Sequence, residues 1–282
     1  MTDPTASTPS PATIAATAGR EIKYLDTIDA YDQWAEVYDT DGNFLQALDT
    51  LEMRSLLPTF VSLLPTNANT NTNTNNTTGP TLIDLGCGTG RNTIPLLQSA
   101  PTNATIIGLD PSTKMLELAR QRVSVYFDEN PHVNRKLGSG EDRVSFQVYN
   151  MLDTSVSNAA AGNVDGIIST LVMEHVPMDT FFGAAAGLLK KGGVLLVTNM
   201  HEEMGKQGQA GFVDPKTGVK IRATSYAHTV KEMVGVAERA GFEVIGEVKE
   251  VMVDDELAGR LGPRARKWVR VKVWFGGCFR KL

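Results

Sequence analysis

Apolar positions fall along the chain in short blocks whose spacing alternates between helix and strand. Ile28, Tyr31, Trp34, Ala35 and Tyr38 share one helical face. Past the turn at 39–43, Phe44, Leu45, Leu48 and Leu51 open a second amphipathic helix that continues through Leu56, Leu57 and Phe60. Thr81, Leu82, Ile83 and Leu85 then form a β-prone run that enters three glycines, Gly86, Gly88 and Gly90. Ile94, Leu96 and Leu97 supply the inner face of the helix that follows. Thr105–Asp110 reads as a buried strand, and Ser112 as the N-cap of a helix with Met115, Ala119 and Val123 inside. A polar loop covers 128–143. Val144–Tyr149 and Val164–Ser169 are the next strands. Phe181, Phe182, Ala185, Leu188 and Leu189 mark a helix stopped by Lys190-Lys191-Gly192-Gly193. Val194–Asn199 is a continuous apolar strand, as a parallel sheet buried on both faces requires. Val230, Met233, Val234 and Ala237 form one more helix face, ended by Gly241. Phe242–Val248 and Trp268–Phe275 are the closing strands.

Strands alternating with helices predict an α/β fold around a mostly parallel sheet. The chain divides into a disordered tail (1–20), a helical cap or lid (21–66), an Asn/Thr-rich low-complexity loop (67–79) and the main domain (80–282). Residues 200–228 have the least regular pattern and read as a flap or hairpin.

Composition narrows the function. The formal charge is −5, so no whole-chain basic field draws the protein to nucleic acid. No apolar run approaches the ~20 residues that span a bilayer, and a signal peptide's apolar block is missing. Cys87 and Cys278 have no metal-ligand spacing, which suits a reducing, cytoplasmic setting. No metal site is expected. After Glu256 the chain carries eight basic residues and no acid. That tail is either a solvated face or a contact for an anionic substrate or partner.

The candidate chemistry lies in Asp84-Leu85-Gly86-Cys87-Gly88-Thr89-Gly90. Glycines at a strand end allow a sharp turn and let a ligand lie on the backbone. The helix beyond them offers unpaired N–H groups. The G-x-G-x-G spacing, with no Gly-Lys-Ser/Thr, fits neither a pyrophosphate loop nor a phosphate loop. Asp84 would repel a pyrophosphate and suits an ammonium group. Asp110 follows Gly90 by 20 residues, at the end of the next strand, where a carboxylate can accept from both hydroxyls of a ribose.

Together these motifs resemble class I S-adenosylmethionine-dependent methyltransferases. The stretch Tyr31–Asp39 is similar to the lid helix of the ubiquinone/menaquinone biosynthesis methyltransferases. The resemblance implies a Rossmann-like seven-stranded, mostly parallel sheet with a final antiparallel hairpin and an N-terminal helical cap. It implies S-adenosylmethionine as methyl donor, a small-molecule acceptor, and no nucleic-acid or membrane partner. It assigns the donor to Asp84, Gly86, Gly88, Gly90, Asp110, Pro111, Met115, Asn150, Met151, Thr170 and Leu171. Tyr31 and Tyr38 are either lid or core, and Met115 is either core or a flank of the adenine. Asn150 stands where the family has an acid, with Asp153 as a substitute. The segment after the fourth strand carries Glu174-His175, and the fifth strand exits at His201. A hydroxyl nucleophile would be helped by a base, and His175 and His201 are the candidates. The rival readings are a donor-binding scaffold without turnover and a protein or RNA methyltransferase.

Overall fold

The computed structural model describes residues 21–65, 79–153 and 162–282. The tail 1–20 and the Asn/Thr-rich segment before Gly79 lie outside the described residues. The described chain starts with a short strand, β1 (Ile22–Tyr24), and helices α1 (Thr27–Trp34) and α2 (Phe44–Leu63). Asp26 caps α1 by accepting from the Ile28 N–H, and Asn43 caps α2 by accepting from the Leu45 N–H. Next come β2 (Thr81–Leu85), α3 (Thr93–Ser99), β3 (Thr105–Asp110), α4 (Thr113–Glu129) and β4 (Val144–Val148). They lead to β5 (Val164–Thr170), α5 (Met178–Leu188), β6 (Leu189–Met200) and the one-turn helix α6 (Glu202–Gly205). A hairpin of β7 (Gly211–Val213) and β8 (Lys220–Arg222) precedes α7 (Val230–Arg239), β9 (Phe242–Met252), α8 (Asp255–Leu261) and β10 (Lys272–Lys281).

The main sheet runs β4-β3-β2-β5-β6-β10-β9. Its strands pair in parallel except β10, which is antiparallel to β6 and β9. This is the expected α/β, Rossmann-like sheet with its closing hairpin. Along β2, Ile83 and Leu85 join the apolar cluster that includes α5 and α7, while Leu82 joins the one that includes α2, α3 and α4. Alternate residues feed opposite faces, and both faces are covered. From β2 the chain order proceeds to β3 and β4 on one side and to β5 and β6 on the other. The crevice at that switch point, beyond the carboxyl ends of the strands, is where such sheets bind ligands.

A second, three-stranded sheet (β1-β8-β7) sits with α1. Trp34 stacks on Phe212 of β7 at 5.2 Å, so the cap and the flap hairpin share a small core. Helix α2 is fixed to the main sheet by the buried carboxylate of Asp49. It accepts from the Trp274 indole (3.0 Å) and the Thr198 hydroxyl (2.5 Å), and it pairs with Arg91 at 2.8 Å.

Several strand boundaries differ from the sequence expectation, and β9 runs on past Val248 to Met252. The last strand is Lys272–Lys281 rather than 268–275, and Pro263–Trp268 is a 3-10 helix. Gly276 lies inside the strand because the Trp274 ring packs over it; a Cβ there would come within 2.6 Å of the indole. Strand β6 begins at Leu189, earlier than the apolar run, because the Lys190 ammonium pairs with buried Asp165 of β5 across an irregular register.

Candidate active site

The β2–α3 loop turns back over β3: the Gly86 and Cys87 N–H groups both donate to the Leu109 carbonyl, at 2.7 and 3.0 Å. Gly86, Gly88 and Gly90 have φ of 73, 53 and 77°, in the left-handed region. Each is required for a different reason. A Cβ on Gly86 would come within 2.3 Å of the Val172 side chain, and one on Gly90 within 3.3 Å of Ala119 in α4. A Cβ on Gly88 would meet nothing within 4 Å, so this residue presents bare backbone to open space.

Asp110 ends β3 beside that loop. Its Oδ2 accepts from the Gly88 N–H at 2.8 Å, and its Oδ1 accepts from the Ser112 N–H at 2.9 Å. Burial pushes its carboxyl up to about 6, against the pull of these two bonds. Ser112 caps α4 through Met115 N–H, and its hydroxyl donates to Asp32 of α1. The cap is thus bonded to the helix that follows Asp110. Thr89 in the glycine loop also donates to Asp39 at 2.9 Å, and Arg122 of α4 pairs with the same carboxylate.

These elements enclose a cavity of about 420 Å³. Of the residues anticipated from sequence, Tyr31, Tyr38, Gly86, Gly88, Asp110, Pro111, Asn150, Met151, Thr170, Leu171 and His175 line it. Asn150 accepts from the Leu152 N–H through Oδ1 at 3.0 Å, which holds the β4 exit as a turn. Asp84, Gly90, Met115 and His201 do not line it. Asp84 lies behind the loop, where the Thr93 hydroxyl donates to Oδ2 at 2.6 Å. Its Oδ1 is buried without a partner among the described residues, and burial pushes its carboxyl up to about 7. Gly90 serves helix packing, and Met115 is fully buried on α4.

His201 is the clearest departure from the sequence reading. It is 2% exposed and stands outside the cavities described here. Its Nδ1 accepts from the Glu203 N–H (3.1 Å) and caps α6, and its Nε2 reaches Glu250 at 2.7 Å. An acceptor at Nδ1 requires the proton on Nε2, so the ring donates to the Glu250 carboxylate. Both nitrogens are committed to structure. A strand exit alone did not reveal that the side chain turns toward the closing hairpin.

His175 lines the first cavity and packs against Tyr31, with ring centroids 5.1 Å apart. Its Nδ1 lies 2.7 Å from the Thr224 carbonyl, which only accepts, so Nδ1 carries the proton. Nε2 therefore accepts from the Tyr31 hydroxyl at 2.7 Å. Burial lowers the imidazole to about 4, so the ring is neutral at pH 7. Burial also holds the Tyr31 phenol well above its ordinary range, and the hydroxyl stays protonated.

A second cavity of about 370 Å³ adjoins the first and shares Tyr31, Tyr38 and Leu171 with it. The cap, the flap hairpin and the 263–268 segment form its walls. Leu171 at the junction has φ of 57°, an unusual conformation for a leucine. Its N–H donates to the Thr198 carbonyl at 2.9 Å. Glu174 lines this second cavity. Its N–H donates to Asn199 Oδ1, its Oε2 accepts from the Met200 N–H, and burial pushes its carboxyl up to about 7. Glu174 and His175 line adjoining cavities, and their side chains stay neighbours, with Glu174 Oε1 3.9 Å from His175 Nε2. The basic C-terminal run was the signal for Arg264 and Lys267, which line the second cavity.

The donor implied by the sequence fits the first cavity on structural grounds. Gly88 offers a cradle that a Cβ would fill, and a buried carboxylate stands beside it. Among the described residues no group of three His, Cys, Asp or Glu could hold a metal ion, and no helix is long and apolar enough to cross a membrane.

This sheet, with its glycine loop and the carboxylate ending β3, is the fold of an S-adenosylmethionine-dependent methyltransferase. The chain belongs to the methyltransferase-domain family, whose model matches residues 76–240. It is 52% identical over 272 residues to an uncharacterized methyltransferase of Emericella nidulans, covering 92% of each chain. Its fold is similar to that of an S-adenosylmethionine-dependent methyltransferase from Mesorhizobium loti (TM-score 0.50, 17% identity, 72% of this chain and 91% of that one). It is also similar to the 4+2 cyclase SpnF (TM-score 0.56, 17% identity, 93% and 98% covered).

Proposed function

We propose that this protein transfers a methyl group from S-adenosylmethionine to a small molecule held in the second cavity. The observation that carries this reading is the junction, where two cavities of similar size share Tyr31, Tyr38 and Leu171. When bound, the donor supplies an electrophilic methyl on a positively charged sulfur. The chain's own residues bind, orient and exclude water. Gly86, Gly88 and Asp110 hold the donor, with Pro111, Asn150 and Met151 beside its base and Thr170 and Leu171 toward the junction. Tyr31 and Tyr38 act as the inner face of a lid formed by the N-terminal segment, and a closed lid keeps water from the reaction. The walls of the second cavity fix the acceptor's nucleophile next to Leu171, and positioning of this kind supplies much of the rate in a displacement.

A small acceptor agrees with the likeness of Tyr31–Asp39 to the ubiquinone/menaquinone enzymes. The net charge of −5 disfavours a nucleic-acid acceptor. A cytoplasmic site of action fits two cysteines that are both free and buried. For a hydroxyl acceptor, Glu174 is the best-matched base, because it lines the acceptor cavity and its carboxyl titrates at about 7. His175, titrating at about 4, is a weak base, and it positions the Tyr31 hydroxyl instead.

Calorimetric titration with S-adenosylmethionine tests the donor assignment. Asp110→Ala removes charge-assisted bonds worth about 1.5–3 kcal/mol each, so affinity should fall at least ~tenfold. Equal affinity in wild type and variant contradicts the assignment.

A further inference from the structure

Three N–H groups on the walls of the second cavity have no acceptor among the described residues. Gln46 and Trp268 both line it, and they are 7% and 4% exposed. Their side-chain nitrogens, Gln46 Nε2 and Trp268 Nε1, have no partner among the described residues. A third lining residue, Arg222 of β8, is in the same position at Nε. Its Nη1 donates to the Tyr24 hydroxyl and to Gln209, so the protein uses one side of the guanidinium and leaves Nε unbonded. All three orphan atoms are N–H donors. A buried donor without an acceptor costs about 1–3 kcal/mol, so an occupant that brings oxygen lone pairs is favoured.

Charge selects among such occupants. Four basic side chains line this cavity, against one carboxyl, Glu174. Burial raises that carboxyl to about 7, so it is only partly ionised at neutral pH. Arg264 is already engaged with Asp41, whose carbonyl accepts from it at 2.7 Å. Lys267 lies over the Trp268 ring at 4.7 Å. A guanidinium Nε–H and an indole N–H on the walls of one cavity suit an oxyanion, and the planar fork of arginine matches a carboxylate in particular. The remaining walls combine the amides of Asn43, Gln207 and Gln209 with an apolar and aromatic part that includes Phe44 and Trp34.

We propose that the second cavity is built for an acidic acceptor. Its carboxylate, or another oxyanion, is held by Arg222, Trp268, Gln46 and Lys267, and its apolar or aromatic body lies against Phe44 and Trp34. This inference rests on the reading of that cavity as the acceptor site.

The test uses the full chain saturated with S-adenosylhomocysteine and titrated with benzoate, phenyl phosphate and benzamide, with binding read by saturation-transfer NMR. Benzoate should bind at least tenfold more tightly than benzamide, and its binding should weaken as salt rises. Arg222→Gln and, separately, Lys267→Gln should each weaken benzoate binding severalfold or more, with S-adenosylhomocysteine affinity retained. Preference for phenyl phosphate over benzoate, with the same dependence on Arg222, supports the oxyanion site and assigns its head group as phosphate. Benzamide binding as well as the anions, no binding of either anion, or two variants that bind benzoate like wild type overturns the inference. Failure of the wild-type chain to bind S-adenosylhomocysteine overturns the donor reading beneath it.

Discussion

Replacing Gly88 separates the cost of folding from the cost of binding, because its surroundings differ from those of its neighbours. With φ at 53° and no atom within 4 Å of a built Cβ, Gly88→Val strains only the backbone. A non-glycine residue in the left-handed region costs about 1–2 kcal/mol. The N–H that residue 88 donates to Asp110 is kept. Gly86→Ala carries the same backbone strain, and its Cβ would lie 2.3 Å from Val172 Cγ2, which adds overpacking of about 1–3 kcal/mol. The alanine variant should therefore unfold more easily than the valine variant, although its side chain is smaller. Donor binding should rank differently. The valine projects into the cavity that Gly88 leaves open, and a hundredfold loss corresponds to about 2.7 kcal/mol of steric exclusion. Urea unfolding with calorimetry against S-adenosylhomocysteine reads both quantities. A Gly88→Val protein that is folded and binds within threefold of wild type would refute the placement of the donor over this loop.

Asp84→Asn should flatten the pH dependence of stability. The folded carboxyl titrates at about 7 and the unfolded one near ~3.9, so the native state binds more protons between those values. Wild-type stability then falls as pH rises through about 4 to 7, and asparagine cannot ionise. Urea unfolding at several pH values should show the variant gaining on wild type toward pH 8; parallel profiles would sink the argument. His201→Gln should lower stability and leave methyl transfer within threefold, while Glu174→Gln should lower turnover on a hydroxyl acceptor on the order of 10²-fold with donor affinity kept. Steady-state kinetics with unfolding curves decides, and the reverse pattern would restore His201 as a candidate base.

The sheet was legible because its pattern is local. Two-sided burial writes continuous apolar runs such as Val194–Val197, and the left-handed turn after Leu85 writes its glycines in fixed positions. Asp110 was legible for the same reason, as the carboxylate ending one strand. What sequence could not show was direction. His201 and His175 both follow strands, yet one ring turns to Glu250 and the other to Tyr31, 144 residues away in the chain. Asp84 satisfies the motif and still faces away from the cavity, because it is one step along β2 from Leu85, which lines the cavity, and successive side chains point to opposite faces. The second cavity was the least legible feature. Its walls come from the cap, the flap and the 263–268 segment, which are brought together only by tertiary packing. The last strand runs on through Gly276 and Gly277, which carry no side chain to extend the apolar pattern past Phe275.

The most direct test of the central claim is methyl transfer itself. The full chain is incubated with S-adenosylmethionine labelled in the methyl group and a small-molecule fraction from a cell extract. The label is then followed into low-molecular-weight compounds, protein and RNA. The account predicts label in a small molecule that an anion-exchange resin retains, and its loss in Asp110→Ala. Label that stays on the donor, or that enters only protein or RNA, would contradict it.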